Sequence, residues 1–124
     1  VAVSVGFEPV DCDGTDKLII LDAQPYRVSG ALETLEYARM FASRIRLPLA
    51  YSNLVGASDG NVFAGGSFML DCDGGFVSCL PLWQEGFADI GEIHWPWTEE
   101  PENTWHALTM GVKDFVAKNG FKPL

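Results

Sequence analysis

Two apolar runs, Lys17–Asp22 ("KLIILD") and Leu49–Asn53 ("LAYSN"), flank one amphipathic stretch, Ala31–Arg46. That arrangement limits the fold more than any other feature of the chain. Within the stretch, Leu32, Leu35, Ala38, Ala42 and Ile45 recur at helical spacing and mark one apolar stripe. Ser29 or Gly30 can cap its start, and Glu33 and Glu36 suit the positive end of the helix dipole. Arg44 and Arg46 suit the other end, and Pro48 stops the helix. A strand, a crossover helix and a second strand at this length predict parallel pairing and an α/β fold class. Val1–Val5 reads as one more buried strand, with "GFEPVDCDGTD" between it and Lys17 as loop.

Downstream, Asn61–Cys72 and Gly75–Leu82 read as a hairpin about Asp73-Gly74, a strong turn signal that Asp59-Gly60 repeats. One face of that hairpin carries Phe68, Leu70, Val77 and Cys79, and the other Met69, Phe76 and Leu80. Both faces are apolar enough to require cover, as in a sheet packed on two sides. The glycines of "AGGS" (Ala64–Ser67) fall inside a strand pattern, where they signal a bulge or a close backbone approach. A two-residue turn sets Cys72 opposite Gly75 and Cys79 opposite Phe68, too far apart to bridge. With three cysteines in all, a reducing, cytoplasmic setting follows. Gly91–Asn103 ("GEIHWPWTEEPEN") reads as an ordered linker. Beyond it Trp105, Leu108, Val112 and Phe115 mark a second helix that ends at Gly120.

Composition removes several classes of function. A net charge of −9 with eight scattered basic residues excludes a phosphate-backbone partner. No apolar run approaches the roughly 18 residues of a membrane span. No leader pattern opens the chain, which starts on "VAVSV" and reads as a piece of something longer. "VDCDGTD" (Val10–Asp16) is similar to the nucleophile loop of haloacid-dehalogenase phosphatases, with Asp11 and Asp13 in the reactive positions. Such a loop needs an apolar strand directly upstream, and Pro9 breaks it. His94 and His106 lack partners at zinc-ligand spacing, so no metal site is assigned.

Taken in order, "KLIILDAQPY", "RLPLAYSNLVGASDGNVFAGGSFMLDCDGGFVSCLPLWQEGFADI" and "WHALTMGVKDFVAKNGF" resemble glutamine-dependent NAD+ synthetases, in which a nitrilase-like glutaminase domain precedes an ammonia-using synthetase domain. The resemblance spans Lys17 to Phe121. It rests on Tyr-x-Asn-x-Val-Gly, on an Asp-x-Asp-Gly turn and on the helix Ala-Leu-x-x-Gly-x-x-Asp. It implies a nitrilase-like four-layer α-β-β-α sandwich, about half of it in this chain. Residues 1–90 would be a partial glutaminase (carbon–nitrogen hydrolase) domain, 91–103 a linker and 104–124 the start of the synthetase domain.

The implied parent hydrolyses glutamine and passes ammonia to the ATP- and magnesium-dependent amidation of nicotinate adenine dinucleotide. The chain itself holds no cofactor on this reading. The implied partner is a further copy or the missing half-domain, with no nucleic acid and no membrane. The family's Cys nucleophile lies in an Ile-Cys-Glu-Asp strand end, which aligns with "VGFEP". Phe7 then takes the Cys position, Glu8 keeps the acidic neighbour and Pro9 replaces the Asp. Phenylalanine has no lone pair with which to attack an amide carbonyl. Cys12 is the shifted-register alternative. Gln24, Tyr26, Tyr51, Asn53, Asp59 and Ser67 are the implied substrate-facing positions, of which Gln24 replaces a family Ser. Ala64 replaces a family Asp, and Ser29-Gly30 a Gly-Lys. A non-catalytic, amidase-like oligomerisation module is the second reading.

Overall fold

A computed structural model describes residues 1–7, 12–87 and 107–113. Five strands form one sheet in the order β1-β2-β3-β6-β7: β1 (Ala2–Val5), β2 (Leu18–Asp22), β3 (Leu49–Asn53), β6 (Phe68–Leu70) and β7 (Phe76–Cys79). The first three run parallel, with Leu18 beside Ala2 and Leu49, and β6 and β7 are antiparallel additions. Helix α1 (Gly30–Ile45) carries the chain from β2 to β3. The parallel pairing expected from the strand–helix–strand order is present. Between β3 and β6 the chain inserts a separate hairpin, β4 (Val55–Ser58) and β5 (Asn61–Ala64).

The core lies between α1 and one face of the sheet. Leu35, Ala38 and Ala42 of the helix meet Leu18, Ile20, Leu49, Tyr51, Phe68, Leu70 and Cys79. Each large side chain buried here contributes on the order of 1.5–3 kcal/mol. The helix begins at Ser29, whose backbone is left-handed and whose side chain makes no capping bond. It ends at Arg46, also left-handed, whose N–H donates to the Ala42 carbonyl at 2.8 Å.

Three details differ from the sequence reading. Asn61–Cys72 is not one strand: Gly65 and Gly66 both have φ near +80° and turn the chain, so β5 pairs with β4 and only Phe68–Leu70 joins the main sheet. The two-residue turn belongs to Asp59-Gly60, both at positive φ, with Ser58 opposite Asn61. Asp73-Gly74 sits in a wider loop, Asp71 to Gly75, so Cys72 does not pair with Gly75. A bulge between Met69 and Leu70 then sets Leu70 opposite Phe76. Phe76 packs on the core, while Val77 turns to the other face beside Met69, the reverse of the expected assignment.

Residues 107–113 are helical, within the span where a second helix was expected. The remainder of that helix, the linker at 91–103, Glu8 and Asp11 lie outside the described residues. No helix among the described residues is long and apolar enough to cross a membrane.

Candidate functional site

Ligand sites in open α/β sheets gather at the carboxyl ends of parallel strands, where the chain leaves the sheet in different directions. Here the ends of β1, β2 and β3 bring together Phe7, Asp22, Gln24, Tyr51 and Asn53. Beside them lies an open cleft of about 550 Å³, lined by Gly6, Phe7, Asp22, Gln24, Thr34 and Tyr37, with the Arg27–Glu33 ion pair at its rim.

An aromatic stack forms the floor. Phe7 lies nearly parallel to Tyr51, with ring centroids 5.5 Å apart, and Tyr51 continues onto Phe68 at 4.9 Å. Tyr37 and Phe41 of α1 meet Phe7 edge-on, at 5.0 and 5.8 Å. Such pairs contribute about 0.5–1.5 kcal/mol each beyond the area they bury. Phe7 is therefore a packing residue that extends the core to the cleft.

Tyr51 donates its hydroxyl to Asp22 Oδ2 at 2.9 Å. Burial, then this hydrogen bond and then the Asp22 charge all hold the phenol far above its ordinary ionisation range. Tyr51 thus stays a neutral donor. The other oxygen of Asp22 accepts the N–H of Ala23 at 2.8 Å.

Asn53 ties three segments together. Its Oδ1 accepts from Gln24 N at 2.8 Å, and its Nδ2 donates to the Gly65 carbonyl at 2.8 Å and to the Gln24 carbonyl at 3.4 Å. Its backbone N–H donates to Ser67 Oγ at 3.0 Å. The Gln24 side chain accepts from Thr34 at 3.5 Å. Gln24, Asn53 and Ser67 are thus linked through Asn53, while Tyr51 is bonded to Asp22 instead.

Of the remaining positions, Tyr26 lines a small pocket together with Gln24, Tyr51 and Asn53, and the others stand apart. Tyr26 packs against Trp83 with centroids 5.0 Å apart and donates its N–H to the Val62 carbonyl. Asp59 is exposed at the tip of the β4–β5 hairpin. Cys12 opens the turn at 12–15 and does not line the cleft, and Asp13 beside it is exposed. The three cysteines form no disulfide. Burial pushes the Cys79 thiol up, away from thiolate.

Asp22, Thr34 and Tyr37 were missed in the sequence. Asp22 had a readable signal: a carboxylate closing a parallel strand. Thr34 and Tyr37 sit on the helix flank beside the buried stripe, and nothing in a 3.6-residue period singles them out.

Chemically, the cleft presents hydrogen-bond acceptors and aromatic surface, a combination suited to a carboxamide or ammonium group. Among the described residues no thiol lines it; Tyr37 brings a phenol to its wall, and the Tyr51 phenol beside it is committed to Asp22. Among the described residues no three His, Cys, Asp or Glu side chains gather as a metal site.

No family model matches the sequence. The chain is 32% identical over 120 residues to the glutamine-dependent NAD(+) synthetase of Synechocystis, covering 87% of this chain and 21% of that protein. Its fold superposes on the glutamine-dependent NAD+ synthetase of Acinetobacter baumannii, solved with ADP, at a TM-score of 0.73 and 24% identity, over 86% of this chain and 22% of that one. An amidase from Nesterenkonia sp. AN1, of the nitrilase superfamily, superposes at 0.50 and 22% identity over 57% of this chain and 26% of its own. That enzyme forms a covalent adduct at an active-site cysteine. The fold is a partial nitrilase-like α/β sandwich. The chain spans about a fifth of the length of the synthetases it matches.

Proposed function

We propose, from the premise that this chain is homologous over most of its length to glutamine-dependent NAD(+) synthetases, that it is part of the glutaminase region of such an enzyme and is itself unable to hydrolyse glutamine. The observation that carries this reading is Phe7. At the end of β1, where the resemblance sets the nucleophile, stands a ring packed against Tyr37, Phe41 and Tyr51. Acyl transfer needs an atom with a lone pair at that point, and a benzyl group supplies none. Glu8 and Pro9 take the adjoining family positions, and Cys12 stays the shifted-register nucleophile that the test must exclude.

In the whole enzyme, residues 1–90 would belong to the glutaminase region, 91–103 to the linker and 104–124 to the start of the synthetase region. The parent's chemistry would be cytoplasmic: ammonia from glutamine, delivered to nicotinate adenine dinucleotide with ATP and magnesium. The described residues do not fit the last two. They offer neither a phosphate-binding glycine loop nor a metal-ligand cluster, so ATP and magnesium would bind outside the described residues. Gln24, Tyr26, Tyr51, Asn53 and Ser67 would shape the mouth of the glutamine pocket, with Asp59 further out. A non-catalytic module that pairs with another copy or with a missing half-domain is the second reading. It is favoured by the bonds of Asn53, three of which go to neighbouring backbone.

The test is glutamate release from glutamine by the purified 124-residue chain. The expected result is no turnover above buffer. Turnover lost on changing Cys12→Ser would overturn the assignment of Phe7 and make Cys12 the nucleophile.

A further inference from the structure

Asp59-Gly60 and Asp73-Gly74 share a dipeptide and differ in what surrounds it. Asp59 and Gly60 form the exposed tip of the β4–β5 hairpin. The ladder closes between Ser58 and Asn61, so the Gly60 N–H lies outside it. Among the described residues nothing comes within 4 Å of a methyl group built on Gly60. Asp73 is exposed as well, but Gly74 is buried beneath α1, where a built methyl group lies 3.4 Å from Ser43 Cβ and collides with the Arg39 carbonyl oxygen. The Gly74 N–H donates to the Asp71 carbonyl at 3.0 Å, and the Gly74 carbonyl accepts from Arg39 at 3.1 Å.

We infer that Asp59 is a site of spontaneous isomerisation to isoaspartate, and that the docking of its loop on α1 protects Asp73 from the same reaction. The inference stands apart from the glutamine chemistry.

The reaction needs a carboxyl group, a free amide nitrogen one residue on, and room for the peptide between them to rotate. Gly60 N attacks Asp59 Cγ. The Cγ–OH bond breaks, and that hydroxyl leaves with the amide proton as water, closing a cyclic imide. The Ser58 hydroxyl, 3.5 Å from Asp59 Oδ2, can donate to the departing oxygen. Water then adds to the former main-chain carbonyl carbon of Asp59. The bond from that carbon to Gly60 N breaks, and the nitrogen takes back a proton. The chain now runs through Cβ and Cγ, and the old carbonyl is a free carboxylate. Atoms, electrons and charge balance, with water as the sole co-reactant.

Glycine at 60 leaves the nitrogen unshielded and the backbone free to turn. At Asp73 the attacking N–H is committed to Asp71, and rotation would drive Gly74 against Arg39. The product also adds a carbon to the backbone. An exposed hairpin tip accommodates it, whereas a loop wedged under a helix does not. A third pair, Asp13-Gly14, adjoins residues 8–11, outside the described ones, so its surroundings decide nothing here.

The test incubates the 124-residue chain in warm, mildly acidic buffer, folded and in urea, and follows isoaspartate at each position by peptide mapping with electron-transfer fragmentation. A second readout is methyl transfer from S-adenosylmethionine, by an isoaspartate carboxyl methyltransferase, to the peptide that carries residue 59. In urea the two positions are expected to react at similar rates. In the folded chain Asp59 leads Asp73 on the order of thirtyfold, because the docked loop must first open locally. Gly60→Ala removes most of the methyl acceptor at 59, and Arg39→Ala raises the rate at 73 alone. Equal rates at the two positions in the folded chain, isoaspartate at 73 ahead of 59, or indifference of residue 59 to Gly60→Ala would each overturn the proposal. The comparison of folded and unfolded chain needs no variant to fold. None of these outcomes bears on whether the chain releases glutamate from glutamine.

Discussion

The two ends of the sheet are built from the same kind of part and put to different use. At the far end Asp71 gathers the hairpin loop: its Oδ1 accepts from Asp73 N at 2.9 Å and Gly75 N at 2.7 Å, while Arg39 of α1 donates to the Gly74 carbonyl at 3.1 Å. At the carboxyl end Asn53 gathers Gln24 and Gly65 by equivalent side-chain to backbone bonds. Both are scaffold devices. Asp71 edges an apolar groove, whereas Asn53 stands beside the polar cleft, where the neighbours are Asp22, Thr34 and an aromatic floor. A polar residue near a cleft is therefore not a ligand contact by position alone. What decides is whether its bonds are already spent on backbone.

The hardest test of that equivalence is Asn53→Ala. It leaves a Gln24 N–H and a Gly65 carbonyl without partners in a partly buried setting, at about 1–3 kcal/mol each. A loss of about 3 kcal/mol in urea denaturation is expected, at an unchanged denaturant slope. A loss below about 0.5 kcal/mol would mean that Asn53 is not a structural tie and is held for a ligand.

At the other end the matching change is Gly74→Ala. Gly74 has φ +80°, and a methyl group there collides with the Arg39 carbonyl oxygen, lying 3.2 Å from the carbonyl carbon as well. Strain and displacement of α1 together cost about 2 kcal/mol. Thermal denaturation measures it, and the intrinsic fluorescence change on adding glutamine analogues should match that of the parent chain.

Tyr51→Phe separates the cleft from the scaffold by pH. The charge-assisted bond to Asp22 contributes about 1.5 kcal/mol, and its loss lowers neutral-pH stability by that amount. The folded state holds the phenol protonated above its ordinary value of 10.0, so the unfolded chain releases this proton first. That part of the stability is fully present below pH 10 and declines as pH rises beyond it. The parent chain should lose stability more steeply than the variant between about pH 9.5 and 11.5. Parallel curves would show that the tyrosine is not buried against Asp22.

Most of the scaffold was readable because its signals are local. The period of Leu35, Ala38 and Ala42 fixed the helix face, and the runs at Leu18 and Leu49 fixed two parallel strands. The failures were of another kind. Asn61–Cys72 is apolar enough for one strand, yet two adjacent glycines at positive φ divide it between two sheets. Val77 and Phe76 exchanged faces because a bulge adds one residue, and no alternation pattern records a bulge before the partner strand is known. At the site, Tyr51 and Asn53 were legible through the family pattern. Asp22 carried a local signal, a carboxylate closing an apolar strand, but its part in the site follows from the parallel register beside Asn53 and the Tyr51 hydroxyl on its carboxylate.

The smallest expected effect tests the turn chemistry that the two Asp-Gly pairs share. Gly60 has φ +81°, as Gly74 has +80°, but nothing lies within 4 Å of a methyl group added there. Gly60→Ala therefore carries the cost of a left-handed alanine alone, about 1 kcal/mol. Gly74→Ala carries that cost and the collision with α1. If the two variants lose equal stability, the Asp71–Gly75 loop does not dock on the helix. A difference of about 1 kcal/mol between them isolates what docking adds to a turn whose backbone strain is the same.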